Sequence, residues 1–240
     1  MCPMRSAVCV VPVVALLFAT LASGSAIQAP GNDDLAPFRA ISPEQKVRAA
    51  TFDQPNSAPL RPNETRIFDD EWALPPHDPP DYASFIRDLV CQGDLVVVGR
   101  ATTKQSFLTE SGSSIFTDYA FAAEEYLRGE TVFRQPTNDT TIAVSLTGGT
   151  IQTPRGPLEA RDGGRRPLDF GERYLLFLKR IPKTSSFELS GPHFTVGGGT
   201  PSVQSRHELP TALAKGDKST TTLLADLRAA AATCQRSGGK

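Results

Sequence analysis

The sequence predicts a mainly β domain with flanking helices, and three observations carry that expectation. Between residues 95 and 196 apolar residues recur at every second position or run on unbroken, as strands require. Glycine, proline and threonine are plentiful, with 19 Gly and 20 Pro in 240 residues, which suits turns and strands better than a helical bundle. A helical pattern stands at each end of this region, and each helix carries one cysteine, Cys91 or Cys234.

Residues 1–26 read as a secretory signal peptide. Arg5 supplies the positive start, Val8 to Ala22 is apolar apart from Pro12 and Thr20, and the small residues Ser23, Gly24, Ser25 and Ala26 follow. Cleavage after Ala26 fits this pattern. A retained anchor is the alternative, but the run is short against the ~20 residues a spanning helix needs. The expected location is secreted or periplasmic, in a bacterial-type host.

Residues 27–77 read as a proline-rich leader, extended or partly disordered. Pro30, Pro37, Pro43, Pro55, Pro59, Pro62, Pro75 and Pro76 each remove a backbone donor and restrict the residue before them. Short helices fit only around Pro43 to Ala50. The main domain is expected over 78–200. It opens with a helix capped by Asp78, with Pro79 in its first turn. Tyr82, Phe85, Ile86, Leu89 and Val90 form its apolar face, and Gly93 ends it.

Strands follow. Leu95 to Gly99 is too apolar for an exposed edge. Glu110 to Ser113 make a turn, and the next strand puts Ile115, Thr117, Tyr119, Phe121, Ala123 and Leu127 on one face. Thr141 to Leu146 is a third strand. Gly148 and Gly149 bend the chain, and Thr150 to Thr153 is expected to continue the same sheet. Leu158 to Arg161 is a short strand, Glu172 to Arg180 a strong one, and Phe187 to Val196 another, interrupted at Gly191 and Pro192. A linker over 201–217 leads to a C-terminal helix over 218–236, with Leu223, Leu227, Ala231 and Cys234 on its docking stripe; 237–240 is a tail. The strand set leaves two architectures open: a small, strongly bent barrel that closes its own edges, or an open sheet covered by helices.

Signal cleavage would remove Cys2 and Cys9 and leave Cys91 and Cys234. In an oxidising compartment this even count reads as one disulfide, with two unpaired buried thiols as the alternative.

The segments VCQGDLVVVGRATT, SIFTDYAFAAEEYLRG and GERYLLFLKR, followed by the late Cys234, resemble the oligonucleotide/oligosaccharide-binding (OB) type of barrel in tissue inhibitors of metalloproteinases and netrin C-terminal modules. Uncharacterised secreted bacterial proteins carry similar segments. The resemblance covers about 88–200 and implies an OB-like, TIMP-like barrel. It does not carry over the inhibitors' mechanism, which needs a cysteine at the mature N-terminus, whereas Cys91 lies well inside this chain.

Motifs for catalysis are missing from the sequence. His77, His193 and His207 form no HExxH pair or metal spacing, and no GxSxG elbow occurs. Glu124 and Glu125 are sequence neighbours and point apart on a strand. Asp69, Asp70 and Glu71 read as a solvated acidic loop, and GGGT at Gly197 to Thr200 as a hinge. Asn63-Glu64-Thr65 and Asn138-Asp139-Thr140 match the N-glycosylation pattern. No catalytic, cofactor or metal residue is assigned. The charge distribution is uneven: between Arg155 and Lys183, eight basic residues (Arg155, Arg161, Arg165, Arg166, Arg173, Lys179, Arg180, Lys183) face four acids (Glu159, Asp162, Asp169, Glu172). They read either as a patch for an anionic partner or as a solvated turn and strand. The expected function is a non-enzymatic binding or structural module. Its candidate partners are an envelope protein, a glycan or an anionic surface; nucleic acid fits poorly because basic and aromatic residues do not alternate. A protease-inhibitor-like or peptidase-associated module, and a secreted enzyme with an unrecognised site, are the alternatives.

Overall fold

The computed structural model describes residues 35, 38–40, 42–68, 81–129, 141–197, 199–203, 213 and 217–237. The signal segment, His77, His207, Asp69 to Glu71 and Asn138 to Thr140 lie outside them.

In chain order the elements are helix α1 (Pro43–Thr51), strand β1 (Glu64–Phe68), helix α2 (Tyr82–Gln92) and strands β2 (Leu95–Leu108), β3 (Ile115–Arg128), β4 (Thr141–Thr147), β5 (Gly149–Thr153), β6 (Gly156–Asp162), β7 (Arg173–Arg180), β8 (Phe187–Leu189), β9 (Phe194–Thr195) and β10 (Ser202–Val203). Helix α3 (Thr220–Ser237) completes the set. The protein is mainly β. Seven strands pair in the order β10-β9-β7-β2-β3-β4-β8, and β8 also pairs with β7. Hydrogen-bonded pairing therefore runs β7–β2–β3–β4–β8 and returns to β7, a curved ring. Its pairs are antiparallel except β4–β8, which is parallel.

The long β2–β3 ribbon supplies the curvature, because its register shifts at three places. At one of them Val98 faces Glu125 while Gly99 faces Ala123, so Glu124 is an extra residue. That bulge corrects the expected face of β3. Tyr119, Phe121 and Ala123 point into the ring, but beyond the bulge the parity reverses, and Leu127 packs outside it. Gly99 is needed here: a Cβ would stand 2.1 Å from the Ala122 carbonyl oxygen.

Two apolar layers explain the unbroken LVVV and YLLFL runs. Leu95, Val97, Leu176 and Leu178 fill the ring, while Val96, Val98, Leu175 and Phe177 face outward beneath α2 and α3. Strands buried on both faces lose their polar alternation. Each large side chain buried this way contributes ~1.5–3 kcal/mol. Asp81 caps α2 by accepting from the Ser84 N–H at 3.0 Å. The cap is therefore Asp81 rather than the expected Asp78, which lies outside the described residues. The stripe Leu223, Leu227, Ala231 and Cys234 of α3 is buried as expected. Cys91 and Cys234 meet as a disulfide across α2 and α3, with Cα atoms 5.6 Å apart.

Strand β5 leaves the ring. It pairs with β6, and β6 pairs in parallel with β1, giving a separate three-stranded sheet. This differs from the expected continuation of one sheet, and the cause is the Gly148-Gly149 bend. Gly149 has φ 145, and a Cβ there would meet the Thr117 hydroxyl at 2.3 Å.

The described part of the leader lies on the domain. Ser42 and Gln45 form a capping box at the start of α1. Arg48, buried to 7% exposure, donates to Asp118 Oδ2 from Nε at 3.1 Å and Nη2 at 2.9 Å, and to Ser186 Oγ at 2.9 Å. Ser145 donates to the other Asp118 oxygen at 2.6 Å. Phe52 then stacks on Phe116, and Leu60 joins Leu108, Ile115, Ile151 and Leu158 in a third apolar cluster. Among the described residues, no helix is long and apolar enough to cross a membrane.

Candidate functional site

The eight-residue basic patch divides in space. Arg161, Arg165 and Arg166 line one groove, of about 570 Å³, between the ring and the β1–β6–β5 sheet. Arg155 sits at the β5–β6 turn, where its carbonyl accepts from Asn63 Nδ2 at 3.5 Å. Arg173 and Arg100 share Glu124, at 2.6 and 2.9 Å. Lys179 and Arg180 end β7, where Arg180 Nε donates to the Thr184 carbonyl at 3.1 Å, and Lys183 stands in the next turn with φ 64. None of these last five residues lines the groove.

Local structure explains how the groove forms. Strand β2 contributes Lys104 and Ser106, β3 contributes Thr117 and Tyr119, and β4 runs through Leu146 and Thr147 into the Gly148-Gly149 bend. The opposite wall is the end of β6 and the loop after it. Asp162 shapes that loop by accepting from the N–H groups of Gly164 at 2.8 Å and Arg165 at 3.1 Å, an Asx-type turn. The Arg165 guanidinium stands 3.8 Å from Asp162, and both side chains are largely buried. Arg161 pairs with Glu159 at 2.8 Å. Hydrogen bonds from Thr65, and then from Arg161, hold the Glu159 carboxyl below the usual range. Burial pushes the Tyr119 phenol up to about 12. Lys104 lies over the ring of Phe170, 5.5 Å from its centroid, and Phe170 is 53% exposed. Arg166 is exposed and makes no ion pair with a described residue.

Two hydroxyls and a carbonyl on the floor fix a direction. Thr117 Oγ1 donates to the Gly148 carbonyl at 2.6 Å and lies 2.9 Å from Ser106 Oγ. A threonine has one hydroxyl proton, so Ser106 must donate to Thr117. Ser106 Oγ is left to accept from whatever enters the groove.

Of the residues considered for catalysis, His193 and Asp169 both meet Tyr174, and neither lines the groove. His193 is fully buried against Tyr174, and among the described residues neither ring nitrogen makes a well-formed hydrogen bond, the Arg166 backbone being only a weak neighbour. Burial, with Arg165 acting in the same direction and the Arg166 backbone opposing, holds its pKa down to about 4. Asp169 meets Tyr174 through its backbone N–H, which donates to the phenol oxygen at 2.9 Å. Glu124 engages Arg100 and Arg173, whereas Glu125 engages Arg228 of α3 at 2.7 Å, so the neighbouring acids do point apart. Among the described residues, no three His, Cys, Asp or Glu side chains gather to hold a metal.

Sequence reasoning found the three groove arginines but missed Lys104, Ser106 and Phe170. Their signal is weak: Lys104 and Ser106 are polar positions in a long strand, and Phe170 lies in a loop. The chain matches no protein-family profile and no curated protein sequence.

Proposed function

We propose that this chain is an exported, non-catalytic binding module built on an OB-type barrel, and that it holds an anionic ligand in the groove between its two sheets. The single observation that carries this reading is the convergence of Arg161, Arg165 and Arg166 with Lys104 on one groove, where Arg161 and Arg165 pair with Glu159 and Asp162 and the excess positive charge rests on Lys104 and Arg166. Cations on a walled surface focus an attractive field on an incoming anion. The five-stranded closed pairing with one parallel pair supports the barrel. The N-terminal apolar run and the disulfide support export, since disulfides persist in oxidising compartments. Cys91 lies in the last turn of α2, inside the chain, so its nitrogen is a peptide N–H and not the terminal amine that the metalloproteinase-inhibitor mechanism needs.

The test is nuclear magnetic resonance of the protein beginning at residue 27. It would be titrated at low salt with inorganic polyphosphate, a sulfated polysaccharide and a carboxylated one. Shifts of the Gly148, Gly149, Gly163 and Gly164 amides with at least one of these, weakened by salt and by Arg166→Glu, support the reading. If those amides respond to none of the three, the groove is not an anion site.

A further inference from the structure

We infer that the groove takes an oligosaccharide whose sugars carry carboxylates, an oligouronate, with Ser106, Arg166 and Phe170 as its recognition residues. This rests on reading the groove as a ligand site and names the ligand class.

Charge pattern is the first ground. The cations Lys104, Arg161, Arg165 and Arg166 are interleaved with Glu159 and Asp162. A ligand with a charge on every unit and nothing between, such as polyphosphate, must set some of its charge against those two carboxylates. An oligouronate alternates carboxylates with neutral hydroxyls. Its hydroxyls can donate to Glu159 and Asp162, because a carboxylate oxygen that already accepts one hydrogen bond retains a further lone pair. Its carboxylates are left for Arg166 and Lys104.

Hydrogen-bond direction is the second. Ser106 Oγ has committed its proton to Thr117, which has committed its own to the Gly148 carbonyl. The site therefore presents an acceptor in its floor. A phosphate or sulfate group without a proton cannot satisfy an acceptor, whereas a sugar hydroxyl can.

The third is Phe170. It is a loop phenylalanine with 53% of its surface exposed, so its ring is open to a ligand. It stands beside Lys104, which lines the groove. The C–H face of a pyranose stacks on such a ring, and the ammonium at the same place would meet the carboxylate of that sugar. The groove, at about 570 Å³, falls within the ~300–1,000 Å³ usual for small-ligand sites, room for a short oligosaccharide.

The experiment is isothermal titration calorimetry of the same chain with short oligogalacturonate, oligomannuronate and oligoglucuronate. The methyl ester of the tightest binder and polyphosphate serve as controls. At least one oligouronate is expected to bind at least tenfold more tightly than its neutral ester and than polyphosphate. Phe170→Ala and Arg166→Ala, both exposed positions, are expected to weaken it about tenfold each without moving the melting temperature, and Ser106→Ala to weaken it as well. Equal binding of the ester overturns the carboxylate requirement. Equal or tighter binding of polyphosphate with no effect of Phe170→Ala overturns the sugar class but leaves the groove as an anion site. Silence of every oligouronate, with groove amides that still respond to another anion, does the same. If the groove amides respond to no anion, both readings fall.

Discussion

Arg48 is the residue on which the leader's attachment turns. Its guanidinium reaches Asp118 and Ser186, and Asp118 is held from its other side by Ser145. The pair lies under α1 with side-chain exposures of 9% and 17%, so removing the cation strands a carboxylate that water barely reaches. Arg48→Ala is expected to cost ~3 kcal/mol, the lower end for breaking a buried pair. Urea denaturation of wild type and variant measures it, and a loss below ~1 kcal/mol would place this pair with ordinary surface bridges. His193 sets a second expectation, in pH. Its folded pKa is held to about 4 by burial, against ~6.5 in the unfolded chain. Between those values the unfolded chain binds the additional proton, so stability falls as pH drops from ~6.5 towards 4, by ~3 kcal/mol over the full span. Glu188, whose burial raises its pKa, acts in the opposite sense at the acid end. Asp53, Glu64, Glu124 and Glu159 have lowered values, so their contribution starts to fade as pH falls through the ordinary carboxylate values and is gone below the lowered ones. The difference between wild type and His193→Phe, measured at pH 7 and pH 4.5, isolates the histidine. Equal pH dependence in the two proteins would refute the assignment. Neither residue's role was legible in the sequence: Arg48 lies among prolines with no apolar stripe around it, and a lone histidine in a strand gives no sign of its burial.

At the scale of elements, α2 and α3 were legible nearly to their limits, because their stripes are long and strictly periodic. Strands β2, β3, β4 and β7 were legible for the matching reason, runs of β-branched and aromatic residues bounded by glycine. Strand β1 was not. Its sequence ETRIF is short and mostly polar, and it becomes a strand because β6 offers a free edge beside it. The bulge at Glu124 was equally hidden, since one inserted residue leaves no compositional trace yet exchanges the faces of Tyr126 and Leu127. The two helices also hold an expectation of their own. They are joined by Cys91–Cys234, by a hydrogen bond from the Tyr82 hydroxyl to Asp226 at 2.8 Å, and by the apolar stripe between them. The disulfide spans 143 residues of sequence, and releasing so large a loop in the unfolded chain costs ~3–5 kcal/mol in the chain-entropy account. Cys91→Ala/Cys234→Ala is expected to lower the guanidinium midpoint accordingly and to speed amide exchange first in α3. An unchanged midpoint would mean that packing alone holds the helix.

For the whole molecule, what the sequence withheld was partnership. Closing the ring depends on the parallel β4–β8 pair, two registered residues per strand brought together from positions 144–145 and 187–188. Periodicity shows that a segment is a strand, not which strand it will meet. The groove is non-local in the same way. Its arginines were visible as a charge excess, but its floor comes from β2 and β3, and its far wall is braced by Thr65 of the leader through Glu159. The leader is therefore structural to the site, and removing it gives the sharpest test at this scale. A chain beginning at residue 78 lacks α1 and β1. It would bare Phe107 and Phe116, leave Asp118 without its arginine and expose the β6 edge. Partial exposure of two aromatic side chains and a broken buried pair come to about 5 kcal/mol, or ~10–20 °C in melting temperature for a domain of this size. The bared edge and apolar surface should also drive self-association. Melting curves and light scattering on chains beginning at residues 27 and 78 decide it. If both are equally stable and monomeric, the ring stands alone and the leader is a passenger. If the shorter chain melts early and associates, the folding unit begins with α1, and the groove exists only when that segment is in place.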